Sequence, residues 1–348
     1  MLTFRNVAPA LLAGVLAFAS NVIPSHAADK PGNDKPAELV NVSYDPTREL
    51  YADLNALFAA EAQKKGKAVQ IRQSHGGSTS QAKAVIGGLE ADVVTLALPS
   101  DIEAIRKKGL IADKWQERLP NGSQPYYSTI VFVVRKGNPK QLKDWTDLVK
   151  QGVQIVTPHP KTSGNGQLSF LAAWGSALHR GQAEKEAQQF VTQLYKNVVA
   201  LDPAARGSAI TFAEKKVGDV HLTWENEARR QVLDSKGELE IVYPPVSIRA
   251  EPKVAWVDAN VKKRGTQAAA EAYLRFLYSD AAQELIAKHH YRPIQQEALK
   301  KHSAQFPHID LVNVSVLAKD WNDAHQKFFA DGGEFDKIAK QLPAAAAR

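Results

Sequence analysis

The chain has 348 residues, with 44 Lys plus Arg against 37 Asp plus Glu, no Cys, and a single Met, the initiator Met1. Without a thiol there is no disulfide framework, no thiolate nucleophile, no Cys-ligated zinc and no iron–sulfur cluster. At 44% apolar and 23% charged residues, it is a globular chain with room for about two domains of ~150 residues, neither a disordered tail nor a fibre.

Residues 1–27 stand apart from that fold. Arg5 precedes an apolar run from Val7 to Ala19, and Ser25-His26-Ala27 supplies small residues at a cleavage site, which predicts a secretory signal peptide and a mature chain opening at Ala28. The run is well short of the ~20 apolar residues a bilayer span needs. With no later run of that length and no Cys to acylate, the mature protein is expected to diffuse freely in a periplasm, not embedded in a membrane. Its 43 basic and 37 acidic side chains leave a net +6. Export, together with the mixing of Lys with acids in stretches such as Gln182–Glu186 and Ala213–Lys216, argues against a nucleic-acid partner and for solvated helix faces.

From Leu39 onward, short apolar runs alternate with helical periodicity, the rhythm of a mostly parallel sheet flanked by helices. Strands are predicted at Leu39–Val42, Val69–Ile71 and Asp92–Leu98, with helices carrying Leu50, Leu54 and Phe58, then Ala82, Val85 and Leu89, then Ile102 to Lys108. A second series has predicted strands at Thr129–Val134, Gln154–Val156, Val220–Trp224 and Glu240–Val242, separated by helices near Gln167–Leu178, Lys185–Lys196 and Ile210–Lys215. The last third adds a predicted strand at Val254–Val257 and helices near Gln267–Leu277, Ala281–His289, Trp321–Phe329 and Phe335–Gln341. Pro- and Gly-rich stretches at Leu119–Pro125 and Pro244-Pro245 bracket the second series. The expected architecture is α/β with two lobes: one from both ends of the chain (28–125 plus 248–348), the other inserted (126–247), with a hinge and a ligand cleft between them. Ala28–Pro36 and Pro343–Arg348 read as fringe.

Four helix starts share an unusual composition. They are Ser43-Tyr-Asp-Pro-Thr-Arg-Glu49, Ser74-His-Gly-Gly-Ser-Thr-Ser80, Pro160-Lys-Thr-Ser-Gly-Asn-Gly166 and Pro203-Ala-Ala-Arg-Gly-Ser208. In the first, Asp45 or Thr47 can cap and Pro46 suits the first turn. Each follows a strand, at the edge where an α/β cleft opens. The free N–H groups of a helix start, at a dipole end worth roughly +0.5 charge, favour an anion. One such start is more often a cap than a site; four aimed at one point could offset a dianion.

Enzyme signatures are missing. Ser74-His75-Gly76-Gly77 resembles an oxyanion loop, yet the chain has no Gly-x-Ser-x-Gly elbow, no phosphate loop ending in Gly-Lys-Ser/Thr and no His-Glu-x-x-His. His289-His290 sit at a predicted helix end, where a surface or capping role is expected rather than a metal. Glu225 and Glu227, two apart, diverge on a helix and do not form an acid–base pair unaided.

These residues resemble the sulfate-binding proteins, the periplasmic receptors of the sulfate/thiosulfate ABC importer, over nearly all of the mature chain. The likeness runs through Val42-Ser-Tyr-Asp-Pro-Thr-Arg-Glu-Leu-Tyr51, Gln73-Ser-His-Gly-Gly-Ser78, Gly88-Leu-Glu-Ala-Asp-Val-Val-Thr-Leu-Ala-Leu98, Val134-Arg-Lys-Gly-Asn-Pro139, Leu171-Ala-Ala-Trp-Gly175, Trp224-Glu-Asn-Glu-Ala228 and Tyr291-Arg-Pro293. The resemblance implies a type II periplasmic-binding-protein fold that holds sulfate, dry, by neutral donors. Those would be the N–H of Asp45, the hydroxyl of Ser78 with its N–H, the hydroxyl of Ser163, the N–H groups of Gly164, Asn165 and Ala205, and the indole N–H of Trp224. It also implies that Asp45 turns its carboxylate away from the ligand and caps instead. A monomer without cofactor or metal is expected, partnered by an inner-membrane permease. Departures are Asn165 where Gly is usual, Gln167 where Arg is usual, and Leu98-Pro-Ser-Asp101 in place of a Tyr-containing stretch. Thiosulfate or another tetrahedral oxyanion such as molybdate is the alternative ligand, and an exported anion-ester hydrolase the alternative of another class.

Overall fold

The computed structural model describes residues 36–342, so the signal peptide expected over 1–27 and the fringe from Pro343 lie outside the described residues. Strands β1 (Ala37–Tyr44), β2 (Val69–Gly76) and β3 (Val93–Leu96) form a parallel trio with β1 in the middle. Every residue of β3 is buried, because α1 (Arg48–Lys64), α2 (Ser78–Ile86) and α3 (Pro99–Lys107) and later segments cover both faces of this sheet. The chain then passes through β4 (Tyr126–Tyr127) into a second sheet made of β5 (Ile130–Arg135), β6 (Ile155–Pro158), β7 (Val198–Asp202), β8 (Val220–Trp224) and β9 (Leu239–Val242). Its spatial order is β7-β6-β8-β5-β9, with β6 parallel to β7 and β8, and β5 antiparallel to β8 and β9. Helices α4 (Gly164–His179), α5 (Glu184–Lys196), α6 (Ala205–Ala213) and α7 (Glu225–Asp234) flank it.

After β10 (Val246–Ile248) the chain returns, and β11 (Lys253–Trp256) closes the first sheet antiparallel to β3. Helices α8 (Gln267–Phe276) and α9 (Asp280–Lys288) follow on that side, then β12 (Arg292–Pro293), which pairs with β4. The crossing strands are stitched together where Ser128 and Ala250 exchange main-chain hydrogen bonds of 3.1 and 2.9 Å and the Thr129 hydroxyl donates to the Ile248 carbonyl at 2.8 Å. Two of the motifs meet beside them. Arg292 donates to both oxygens of Glu225, at 2.7 and 3.0 Å, and both side chains are buried.

The last stretch of chain touches both sheets' helices. β13 (Asp310–Val312) pairs with β10, α10 (Trp321–Phe328) packs on α3 of the first sheet as well as on α4, and α11 (Glu334–Ala339) packs on α5. The cause is an aromatic face. Phe170 and Trp174 on α4 need cover, and Phe328 supplies it with ring centroids at 5.9 and 5.0 Å, while Phe335 packs on Phe170 and Tyr195. α4 itself is buried almost all round, from Gly164 to Ala177. The end of the chain is therefore held against helices of both sheets.

Six of these elements have no counterpart in the sequence expectation: β4, β7, β10, β12, β13 and α7. α7 is the instructive one. Glu225, Asn226, Glu227 and Gln231 are among its buried residues, so its inward face is polar and carries no apolar period to read.

Candidate functional site

The four helix starts converge. β1 turns directly into a short 3-10 turn, Asp45–Thr47, with Pro46 in it. β2 runs to Gly76, and Ser78 is the first residue of α2, behind Gly77. Ser163 and Ala204 occupy the N-cap positions of α4 and α6, so helix begins at Gly164 and Ala205, several residues earlier than apolar periodicity predicts. None of Gly77, Ser163 and Ala204 makes a side-chain capping bond. The N–H groups of a helix's first turn have no partner within it, so these starts present donors outward.

Of the seven residues expected to bind, Asp45, Ser78, Ser163, Gly164, Asn165 and Ala205 line one small, tight pocket. All six are nine-tenths or more buried, and no Lys or Arg is among the lining residues. The seventh, Trp224, ends β8 with its ring packed on Tyr44, another lining residue, at 5.2 Å between centroids. Its indole N–H is buried without a hydrogen-bond partner in the protein. Such a donor is uncommon unless something other than protein receives it.

Both oxygens of Asp45 are engaged away from the pocket. Oδ1 accepts from the Arg48 guanidinium, at 2.9 Å from Nε, and Oδ2 accepts the main-chain N–H of Arg206 at 2.8 Å. Asp45 thus caps a helix, but it is α6 of the opposite lobe rather than its own turn. The Ser78 hydroxyl differs from the expectation. It donates to Asp101 at 2.5 Å and accepts from the Ala97 N–H at 3.0 Å, so its proton is committed to Asp101 and what Ser78 offers the pocket is its main-chain N–H. Burial pushes the Asp101 carboxyl up to about 6, against the pull of its hydrogen bonds to Ser78 and Thr79.

The departures acquire roles. The Asn165 amide reaches into the second sheet, donating to the Leu222 carbonyl at 3.1 Å and accepting the main-chain N–H of Trp224 at 3.1 Å, which ties the start of α4 to the strand end that bears Trp224. Gln167 donates across the cleft to the Thr79 hydroxyl at 3.1 Å. The lobes meet closely beside the pocket. A Cβ on Gly77 would lie 2.3 Å from the Thr162 carbonyl oxygen, and one on Gly164 would lie 2.4 Å from the Ala97 methyl, so glycine is what lets these backbones approach.

The remaining candidates have structural partners. Glu225 pairs with Arg292, as above, and Glu227 with Arg206 at 3.3 Å, on divergent sides of α7. His289 Nε2 lies 2.8 Å from Asp53, and His290 Nδ1 lies 2.8 Å from Gln305 Oε1. Among the described residues no cluster of three or more His, Asp or Glu could hold a metal ion. Nor is any helix of the described residues long and apolar enough to cross a membrane. Sequence reasoning passed over Asp101 and Tyr44 as parts of the site. Asp101 stands in the Leu98-Pro-Ser-Asp101 stretch, and nothing local links it to a serine 23 residues away.

Comparison with known proteins follows the same line. Residues 39–292 match the family model for the bacterial extracellular solute-binding protein. The chain is 52% identical over 310 residues to the sulfate-binding protein of Escherichia coli K12, covering 88% of this chain and 94% of that one. It is 46% identical over 303 residues to the thiosulfate-binding protein of Pseudomonas aeruginosa, covering 86% and 91%. Among solved structures, the sulfate-binding protein SubI of Mycobacterium tuberculosis H37Rv superposes with a TM-score of 0.78 at 27% identity, over 84% of this chain and 99% of that one. A periplasmic thiamin binding protein shares the fold at a TM-score of 0.59 and 19% identity, over 76% of this chain and 86% of that one. Likeness over this much of both sequences, on a two-lobed α/β frame of the type II kind, means that the chain belongs to the bacterial extracellular solute-binding proteins.

Proposed function

We propose that this protein captures sulfate between its two lobes in the periplasm and delivers it to an ABC importer of the inner membrane, without catalysing a reaction on it. The observation that carries this reading is the character of the pocket: helix-start residues and Ser163, with the unpartnered indole N–H of Trp224 on the ring packed against Tyr44, no cation among the lining residues, and both oxygens of Asp45 turned to other partners. The similarity to sulfate-binding relatives supports it. In this reading the donors are the N–H groups of Asp45, Ser78, Gly164, Asn165 and Ala205 with the side chains of Ser163 and Trp224. Hydrogen bonds to a charged group contribute about 1.5–3 kcal/mol each, so a set of this size replaces the water that a dianion gives up. The lobes are proposed as 36–125 with 249–309, and 126–248 with 310–342.

Selectivity follows from what the donors cannot do. Phosphate at neutral pH carries a proton that needs an acceptor, and both oxygens of Asp45, the carboxylate lining the pocket, are already engaged. An unpaired buried group costs about 1–3 kcal/mol. Thiosulfate is a second ligand on the strength of the 46% identical relative. A thermal-shift panel of sulfate, thiosulfate, molybdate and phosphate tests the proposal, because a ligand raises the melting temperature only if the folded state binds it. Sulfate is expected to stabilise strongly and phosphate not at all; equal shifts with both would sink the donor-only account. Turnover of sulfate esters would sink the reading as a receptor.

A further inference from the structure

We propose that a second cavity, separate from the anion pocket, takes a small organic anion, an apolar body carrying one sulfonate or carboxylate head group. The cavity measures about 460 Å3, the size of a small-molecule site, and shares no lining residue with the pocket of the four helix starts. Its walls come from three places. Lys83 and Ile86 of α2 and Lys107 of α3 stand on the first sheet's side, Pro160 leads into α4 of the second, and His325 of α10 is followed by Phe329. Thr79 and Gln167, whose hydrogen bond joins α2 to α4, complete the lining between them.

Charge in this cavity is uneven. Lys161, also in the lining, is committed to the protein: its Nζ donates to the Phe329 carbonyl at 2.9 Å and pairs with Asp336 at 2.8 Å. Lys83 and Lys107 are uncommitted. Both are exposed, and among the described residues neither has a carboxylate within ion-pair distance, whereas the adjacent Arg106 holds Glu103 and Asp113. Of the two acids in the lining, Asp331 is fully exposed beside Lys161, and Asp101 is buried with the Ser78 proton on its carboxylate. His325 adds an independent sign. Its Nδ1 is buried without a hydrogen-bond partner, and burial, then Lys161, Lys107 and Lys83, hold the imidazole below its ordinary value. An unpaired nitrogen on a lining residue, with two uncommitted ammonium groups near it, is what an anionic head group would satisfy. Ile86, Ala104, Pro160 and Phe329 supply apolar surface, from which an inorganic ion gains nothing and an organic body gains burial. Because the walls come from helices of both sheets, an occupant holds the same closed arrangement as sulfate, so each ligand should strengthen the other; this coupling rests on the receptor reading, the cavity itself does not.

Calorimetric titration of benzenesulfonate into the full mature protein, saturated with sulfate, keeps the first pocket filled and reads the second alone. Benzenesulfonate is expected to bind once per chain. Benzamide, which has the ring without the charge, and methanesulfonate, which has the charge without the ring, should each bind about tenfold more weakly. Lys83→Gln combined with Lys107→Gln should weaken benzenesulfonate about tenfold. Both lysines are exposed, so the double variant should melt with the parent and bind sulfate as the parent does. In saturating benzenesulfonate the parent's affinity for sulfate should rise about threefold. No binding of benzenesulfonate to the sulfate-saturated protein overturns the site, as does equal binding by the double variant. Equal binding of benzamide or of methanesulfonate overturns the class of ligand, and a sulfate affinity that stays level or falls overturns the coupling. A parent protein that binds no sulfate defeats the receptor reading instead; the cavity is then judged on the free protein by the same dependence on Lys83 and Lys107.

Discussion

At Trp224 the indole N–H has no receiver in the protein, while the ring is held on both sides by Tyr44 and the core. Trp224→Phe keeps the packed ring and removes only the donor. Sulfate should bind about tenfold to a hundredfold more weakly by calorimetry, the worth of one hydrogen bond to a charged group, with the melting temperature of the free protein close to the parent's. An unchanged affinity would remove Trp224 from the site. Residue chemistry could be read from sequence where it depends on the type of group alone: an indole donates and cannot accept, whichever way it points. It could not be read where a distant partner decides the outcome. The Ser78 hydroxyl is chemically free to serve an anion until Asp101, 23 residues on, takes its proton. Asn165 is similar: as a change from glycine it suggested a stiffer loop, yet it lies inside the first turn of α4, where any residue is at home, and its amide braces β8.

Elements carry the next level of constraint. Helix starts were legible because their signal is local, a strand followed by small, hydroxyl-bearing and Gly residues, and because donors on the main chain do not depend on side-chain identity. Which starts face one another is not local. Glu49 and Arg206 are separated by 157 residues, and only the closed arrangement of α1 and α6 brings them together. The same arrangement makes a specific demand at Gly77, which precedes α2 with a φ of −58°, so alanine would fit its backbone. What alanine would not fit is the opposite lobe, since the new methyl would press on the Thr162 carbonyl oxygen at 2.3 Å and stand 3.2 Å from that of Pro203. Gly77→Ala should therefore leave the ligand-free protein as stable as before while weakening sulfate binding tenfold or more, because the lobes can no longer meet. Wild-type affinity in calorimetry would show that the lip has slack to absorb a methyl group.

For the whole molecule, buried titratable groups set the response to acid. Burial, with smaller contributions from Arg48 and Arg135 respectively, pushes His75 and His221 down to about 4. Burial likewise pushes Asp101 up to about 6 and Glu227 up to about 7. Between about pH 4 and 6.5 the unfolded chain's histidines take up protons that the folded ones refuse, so their contribution to stability falls as pH falls. Over the same interval the folded carboxyls keep protons that the unfolded ones release, so their contribution rises as pH falls. The two raised carboxyls offset two of the histidines, but burial also holds His159, His290 and His325 below their ordinary value, so the histidines prevail. Urea denaturation should then show stability falling from about pH 6.5 to 4.5, and Glu227→Gln, which removes one raised carboxyl, should make the fall steeper. Equal slopes for parent and variant would contradict this balance.

The packing of the last stretch of chain has a consequence in time. Phe328 and Phe335 come from the last stretch of chain, yet they cover the aromatic face that Phe170, Trp174 and Tyr195 built from its middle. A chain ending at residue 309 should accordingly expose that face, bind a hydrophobic dye and lose its cooperative melt; a sharp transition of parental size would show that the segment is dispensable. If the whole is required, the second lobe stays unfinished until the final residues are available, whatever has already emerged. For a protein proposed to work in the periplasm, that makes the last segment to arrive the one that commits the lobe.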